Sequence, residues 1–503
     1  MRLSKLLLVL LFGFLAACSD QLDLEEEIIQ EVELLSQSEI DDYIENSLQE
    51  TGEFNWESAS DQMIWSAAVH SGGLVTVGYQ PEAESNVNKR MADVDITSTD
   101  WVQARSEIIG VTVSILERVK GVSTEIEDLK VDANDVLPYF DMEVTDFQVF
   151  KELLEMPGVR YIEPISYEPN FVRININRKE LSDSGCGSND ADNGIPSSDY
   201  TLISPNAKMS WNYTYSNISS AWTLSTGRGI TVGLIDTGTS SAQSRLGSSF
   251  NSGSSLGRTI ERLGAYRGDG FNDQCGHGTS MAGVIASPRT NNGVPVGVAY
   301  NCNLVSIRGT SDVVVNSSSE KTGVANSLIY LGNRSDVKII SMSIGNVFSS
   351  SKVKDAVRYA YGRGKLIFAA AGTSTSFTNW YGVIFPANMS ETVAVTGIKE
   401  QSTFRRCDVC HSGRKVDFSL IMERAGTENH PLTLAQSGDI PSTVGGSSVA
   451  TATAAGIAAL VWARHPNWSR SQVLNRLIQT SSQYPNKSSS YGWGVMDAYA
   501  AVQ

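Results

Sequence analysis

Along this chain the spacing of apolar side chains changes period several times. Residues 74–77 read as a strand, and Trp101, Ala104, Ile108, Val111 and Ile115 recur at helical spacing behind the cap-like Thr99. Residues 136–144 read as a further strand. Thr145 and Gln148 then fit a capping box, Phe147, Phe150 and Leu154 form one helical face, Pro157-Gly158 ends the helix, and residues 159–165 are a strand again. This β-α-β-α-β order over residues 66–170 predicts a small α+β domain. A polar connector follows over residues 171–205, rich in Ser, Asp, Asn and Gly, and such stretches are where proteolytic nicking concentrates. Beyond it, alternation gives way to continuous apolar runs at 230–235, 337–344 and 365–371, with helical segments at 322–331 and 353–361 between them. Strands that are apolar throughout and separated by helices predict an α/β fold, a parallel sheet covered on both faces, over residues 206–503.

The first 65 residues add an address and most of the charge. Arg2 and Lys5 precede an apolar run over residues 6–17, too short to span a bilayer as a helix and laid out like a secretory signal. No other stretch reads as a membrane span. The run ends Leu15-Ala16-Ala17-Cys18, which resembles the bacterial lipobox. That resemblance makes residues 1–18 a lipoprotein signal, Cys18 the lipidated first residue of the mature protein, and the outer membrane or cell surface its location. Residues 19–61 hold 15 acids and no Lys or Arg. With them and the two N-terminal cations set apart, only −3 of the net −16 falls on residues 62–503. Residues 19–65 therefore read as an acidic tether, or at most a short helix, unable to build a core alone. The acidity argues against nucleic acid as a partner. A hydrophobic content of 41% excludes disorder throughout.

Three short segments each set one polar residue at the end of a buried element. Gly233-Leu234-Ile235-Asp236-Thr237-Gly238 places a carboxylate at the carboxyl end of an apolar strand, where crevices of open α/β sheets lie. Gly276-His277-Gly278-Thr279-Ser280-Met281-Ala282-Gly283 places a histidine at the start of a small-residue helix, and Gly445-Gly446-Ser447-Ser448-Val449-Ala450-Thr451-Ala452 does the same for a serine. Together they offer an orienting carboxylate, a base and a nucleophile. A serine hydroxyl attacks well only when an imidazole takes its proton, and a buried carboxylate holds that imidazole in the required tautomer.

These segments resemble the three signatures of the subtilisin-like serine peptidases, the subtilases, across residues 206–503. The closing Tyr491-Gly492-Trp493-Gly494-Val495-Met496-Asp497-Ala498 is similar to the usual end of that fold. The resemblance implies Asp236, His277 and Ser448 as catalytic triad and Ser343-Ile344-Gly345 as a segment that binds substrate main chain by strand addition. It also implies that residues 66–170, ending Pro157-Gly158-Val159-Arg160-Tyr161-Ile162-Glu163-Pro164, are a ferredoxin-like propeptide. Such a domain assists folding and inhibits the enzyme until it is cut off in the connector. The expected protein is an exported, lipid-anchored serine endopeptidase made as a self-processing zymogen. Its expected partners are protein or peptide substrates, its own propeptide and, through the lipid, the membrane.

Two departures from the family pattern matter. Subtilases usually carry Asn after Ala-Ala-Gly to donate a hydrogen bond to the oxyanion, but Ala370-Ala371-Gly372 is followed here by Thr373. In subtilisin, loss of that donor costs about 10²–10³ in kcat. The shorter Thr373 hydroxyl can still donate, so the expectation is a slower enzyme. The alternative is a catalytically weak or silent scaffold acting as a surface binding protein. The second departure replaces the usual Pro-His pair after the nucleophile by Ala452-Thr453, which leaves proton transfer untouched.

Cysteines and histidines complete the reading. Cys407-Asp408-Val409-Cys410-His411 has the spacing of covalent haem attachment, with a local Cys407–Cys410 disulfide as the preferred expectation and a zinc site as the next. Cys275 has two candidate partners, Cys302 and Cys186, with no basis for choosing. His70, His411, His430 and His465 are expected to be surface or structural. No cofactor or metal is expected, since no calcium-loop pattern appears, although relatives often hold structural calcium through scattered ligands.

Overall fold

Ile40, Ile44 and Leu48 recur every fourth residue within the acidic N-terminal region, and this hidden period folds as helix α1 (Gln37–Thr51). The computed structural model describes residues 32–121, 123–169, 186, 189–373, 382–400, 404–427 and 429–503, so the leader and Cys18 lie outside the described residues. Met1–Glu33 and Leu34–Gln503 form two separate units, and the second holds everything that follows. Ser36 and Glu39 cap α1 reciprocally, and the three apolar residues are 0–1% exposed. The expectation of a tether over residues 19–65 is therefore corrected for its second half. One apolar side chain per turn was enough for burial against a neighbour, although the average composition concealed it. Helix α2 (Asp61–His70) follows, with Trp65 packed on Phe147 and Phe150.

The next 90 residues form an antiparallel sheet. Its elements are β1 (Leu74–Tyr79), α3 (Thr99–Lys120), β2 (Asp132–Ala133), β3 (Tyr139–Glu143), α4 (Phe147–Glu155) and β4 (Val159–Pro164), with sheet order β2-β3-β1-β4. The two-residue strand β2 escaped the sequence pattern because it is too short to show a period. Helix α4 is capped by Asp146, whose carboxylate accepts the N–H groups of Gln148 and Val149, one position later than the Thr145 cap expected. Cross-strand register puts Thr76 beside Asp141 and Glu163, and Gly78 beside Tyr139 and Tyr161, all on one face. A Cβ on Gly78 would stand 2.3 Å from the Tyr161 ring, so only glycine fits there. That polar and aromatic face is covered by the second domain.

The second domain begins before residue 206. Residues 189–205, expected to be a free connector, are largely exposed but already anchored to the second domain. Asn189 and Asp199 are buried, Asp199 is paired with Arg424, and β5 (Tyr200–Ile203) forms a hairpin with β6 (Ala207–Ser210). The chain continues through β7 (Thr231–Asp236), β8 (Ile260–Gly264), α5 (His277–Ala286), β9 (Asn303–Arg308), α6 (Ser318–Asn333), β10 (Val337–Met342) and α7 (Ser351–Gly362). Then come β11 (Leu366–Ala370), β12 (Thr392–Lys399), β13 (Phe418–Glu423), the hairpin β14 (Leu432–Leu434) and β15 (Pro441–Thr443), α8 (Gly446–Arg464), α9 (Arg470–Gln479) and α10 (Ala498–Val502).

Seven of these strands make one all-parallel sheet in the order β13-β12-β11-β10-β7-β9-β8. Alternate residues of β7 and its neighbours supply two cores. Val232, Leu234, Leu304, Ile339 and Phe368 pack with α5 and α8, while Ile235, Ile307, Ile340, Met342 and Ile367 pack with α6 and α7. Helix α8 is long and apolar enough to cross a membrane, which the sequence reading overlooked, but 94% of its apolar window is buried. Strand order reverses between β7 and β10, so the carboxyl end of β7 opens on the crevice where ligands of such sheets bind. Asp236 is the last residue of β7.

The outer side of α6 and α7 meets the polar face of the N-terminal sheet. Arg160 grips Asp355 through two bonds of 2.8 and 3.0 Å, and the Tyr161 hydroxyl donates to the same carboxylate at 3.1 Å. Glu163 accepts the Ser351 N–H at 2.7 Å and the Ser351 hydroxyl at 2.5 Å, placing a carboxylate at the start of α7. Lys352 donates to Asp141 at 2.6 Å.

Candidate active site

Asp236 and His277 meet because glycines let their elements touch. A Cβ on Gly278 would lie 2.2 Å from the Gly238 carbonyl oxygen, so the start of α5 can rest on the end of β7 only without that atom. His277 Nδ1 then stands 2.7 Å from Asp236 Oδ1, which also accepts the Thr237 N–H at 2.8 Å. Asp236 is 0% and His277 4% exposed. Asp236 Oδ2 is buried with no hydrogen-bond partner among the described residues, which favours a cation beside it. Burial opposes the charged imidazolium of His277, but Asp236, Asp273 and Asp312 outweigh it and raise its pKa above the ordinary histidine value.

Asp273, which sequence reading missed, holds this arrangement. Its carboxylate accepts the N–H groups of Cys275, Gly276 and Thr279 and the hydroxyls of Thr237 and Thr279, at 2.6–3.0 Å. It therefore caps α5 and links that helix start to the residue after Asp236. Its only sequence signal is an acid four residues ahead of the histidine. The connector holds the same spot from outside. Cys186 is bonded to Cys275, and the Asn189 amide donates to the Gly276 carbonyl at 2.7 Å. Cys302 remains a free, buried thiol, pushed up to about 12 by burial.

Ser448 lies in the first turn of α8, 9% exposed, where helix-start N–H groups have no partner within the helix. The Ser343 hydroxyl donates to the Ser448 carbonyl at 2.9 Å, and Ser343 directly follows the Met342–Ile235 register pair. Ser448 thereby reaches the strand end that carries Asp236. His277 and Ser448 make no hydrogen bond to each other. In unliganded sites this contact is often long and tightens with substrate.

Thr373 is not a free donor. Its Oγ1 stands 2.7 Å from the Ser447 hydroxyl and accepts the Ser447 N–H at 3.0 Å, while the Gly372 N–H donates to Ser447 Oγ at 3.3 Å. One hydroxyl hydrogen is used between the two side chains and one stays uncommitted, whichever group donates. The Cys407–Cys410 loop supports this segment. The disulfide is formed, Cys410 pairs with Thr373 as an isolated bridge, and the His411 N–H donates to the Gly372 carbonyl at 3.0 Å. His411 is buried, and burial pushes its pKa down to about 4. Gly372, at φ +127°, gives its ring room. This histidine is structural, as expected, and the loop is a buttress.

The segment expected to bind substrate, Ser343-Ile344-Gly345, is not free. Ser343 and Ile344 are buried, and the main chain of Gly345 is already paired. Its N–H donates to the Val313 carbonyl and its carbonyl accepts the Val315 N–H, both at 3.0 Å, while the Asn346 amide donates to the Val315 carbonyl at 2.8 Å. Residues 313–315 thus form a strap over the edge expected to take a substrate strand. Among the described residues no group of three or more His, Cys, Asp or Glu side chains gathers as a metal cluster.

A family model described as the subtilase family matches residues 227–494. Subtilisin DY of Bacillus licheniformis is 32% identical over 282 residues, covering 55% of this chain and 92% of that protein. Subtilisin E of Bacillus subtilis is 30% identical over 234 residues, 46% of this chain and 57% of that protein. Fervidolysin from Fervidobacterium pennivorans, a keratinolytic enzyme related to subtilisin, aligns with a TM-score of 0.57 at 16% identity. The alignment covers 86% of this chain and 61% of that structure, and the likeness is one of fold alone. Fold and site together define a serine hydrolase built on a parallel α/β sheet. The chain belongs to the subtilase family and is a serine endopeptidase.

Proposed function

We propose that Ser448, His277 and Asp236 hydrolyse peptide bonds through an acyl-enzyme in an exported zymogen anchored by a lipid on Cys18. His277 Nε2 takes the Ser448 proton as the hydroxyl attacks the peptide carbonyl, then delivers it to the leaving amine. Water, activated by the same imidazole, frees the acyl group. Asp236 keeps the Nδ1 proton in place and stabilises the imidazolium. The oxyanion is held by the Ser448 N–H and by the one uncommitted hydroxyl hydrogen of the Thr373–Ser447 pair. Ser343, Ile344 and Gly345 take the substrate main chain once the strap parts. The observation that carries this reading is the buried 2.7 Å contact between Asp236 and His277.

Residues 66–170 serve as the inhibitory propeptide, supported by the close docking of Arg160, Tyr161 and Glu163 on α7. The segment 171–205 narrows as a cleavage region, since residues 189–205 are anchored through Asn189, Asp199 and the β5–β6 hairpin and Cys186 is bridged to Cys275. The cut therefore falls within residues 171–185, which lie outside the described residues. Lipid and propeptide then share one fragment and the catalytic residues the other, so maturation frees the peptidase from the membrane when the fragments part.

A fluorophosphonate probe tests the chemistry. It should label Ser448 in the wild type and fail on Ser448→Ala and His277→Ala. Absence of labelling in folded wild type would favour the silent scaffold. Ser448→Ala should also remain an uncut precursor in the membrane fraction, and Cys18→Ser should leave that fraction.

A further inference from the structure

A small cavity opens beside Gly345, between the start of α6, the end of β10 and the segment at Phe385. Val315, Val324, Met342, Ile344 and Phe385 give it apolar walls, and its volume of about 20 Å³ leaves room for little more than a water molecule while the strap is closed. Among the described residues that line it, Lys321 alone carries a charge. The Lys321 amine donates to the carbonyl of Ile165, just beyond β4, and Glu163 and Glu168 of the N-terminal domain are among the acids that act on it. Burial pushes its pKa down to about 8, so the amine is still largely protonated at neutral pH.

When the N-terminal domain leaves, this amine loses its carbonyl partner and two of the acids around it. Lys352, whose charge acts on Lys321, loses Asp141 at the same time, so both cations are left without their N-terminal partners. A substrate strand reaches Gly345 only by parting its bonds to Val313 and Val315. Withdrawal of Val315 enlarges the cavity at the point where a substrate side chain would turn into it. A half-buried ammonium over apolar walls is best satisfied by a carboxylate, which forms a short charge-assisted bond.

We propose that Lys321 is a specificity-determining residue of the peptidase: its amine selects a substrate with a Glu or Asp side chain at the position that pairs with Gly345, a few residues from the scissile bond. The proposal rests on removal of residues 66–170 as set out under Proposed function.

The test profiles the full chain after it has processed itself. Each position of an extended peptide is scanned with Glu against Gln and Asp against Asn, while mass spectrometry and fluorophosphonate labelling report processing and activity. The wild type should show one position where the acid exceeds its amide by at least about tenfold in kcat/KM, the worth of one hydrogen bond to a charged group. Lys321→Met should cleave both members of the pair alike, Lys321→Glu should transfer the preference to Lys, and Lys321→Arg should keep the acid. A labelled, processed enzyme with a flat profile, or an acid preference that survives in Lys321→Met, overturns the role of Lys321 alone. A chain that stays uncut overturns the processing reading and this proposal with it. Lys321→Arg keeps the cation that holds Ile165, so it guards against a Lys321→Met chain that fails to fold.

Discussion

The hydroxyls of Thr373 and Ser447 stand 2.7 Å apart, one donating to the other, so in the proposed mechanism either residue can supply the hydrogen that meets the oxyanion. Either can present the uncommitted hydrogen if the other is removed. Thr373→Ala and Ser447→Ala should each lower kcat less than the roughly 10²-fold expected for a lost oxyanion donor, while the double variant should lose that amount or more. Steady-state kcat for the three variants decides it, and a full loss in Thr373→Ala alone would restore Thr373 as sole donor.

The raised His277 pKa sets the pH profile. In the proposed mechanism the imidazole must be neutral to take the Ser448 proton, so the acid limb of kcat/KM should lie above the ordinary histidine value of about 6.5. Asp312 adds to the field that favours the imidazolium, and burial pushes its own pKa up to about 6. Asp312→Asn removes a negative charge that stabilises His277 in its charged form, so the limb should move to lower pH. A limb that stays put would show that Asp312 does not act on His277.

Arg160 and Asp355 form a pair almost entirely out of water, with side chains 8% and 0% exposed. Removing one partner of such a pair costs about 3–5 kcal/mol, because the other is left buried and less well matched. In an uncut Ser448→Ala chain, Arg160→Ala should lower unfolding stability by that order, read from the denaturant midpoint of the N-terminal domain. Arg358, which also reaches Asp355 at 3.2 Å, limits the loss at the lower end.

The Cys186–Cys275 bond lies within the proposed catalytic fragment. Processed protein run without reductant should therefore give two separate fragments, with Cys186 on the catalytic one. A single species that parts only on reduction would place the cut after Cys186 and keep the peptidase tied to its lipid. Cys186→Ser should cost the catalytic domain about 2–5 kcal/mol in stability.

Asn346 helps to keep the strap shut through its bond to the Val315 carbonyl. Asn346→Ala should ease displacement of residues 313–315 and lower KM for extended peptides, by up to about tenfold for one neutral hydrogen bond. A KM that rises instead would mean that Asn346 shapes the open edge for substrate.

Much of the fold was legible because it rests on local periods. The parallel strands at β7, β10 and β11 are continuous apolar runs, and α6 and α7 were located in sequence as shorter segments, residues 322–331 and 353–361, inside Ser318–Asn333 and Ser351–Gly362. The four other strands of the seven-stranded sheet, β8, β9, β12 and β13, were not singled out, and β8 is only partly buried, so its pattern is mixed. Helix α1 was lost in its acids. Asp273 was missed because a capping role is defined by where a backbone turns.

The amino-acid sequence by itself determined the residue types and flanks of Asp236, His277 and Ser448, because each sits in a short segment whose glycines and small residues serve its own position. It also determined that a parallel sheet would carry them. Tertiary structure decided whom these residues meet. The Thr373–Ser447 pair spans 74 positions, the Cys186–Cys275 bond 89, and the Arg160–Asp355 pair 195. No local period encodes contacts at such separations. They exist because seven strands stack in an order unlike that of the chain, and because the N-terminal domain closes over α6 and α7, where Lys321 awaits a different partner.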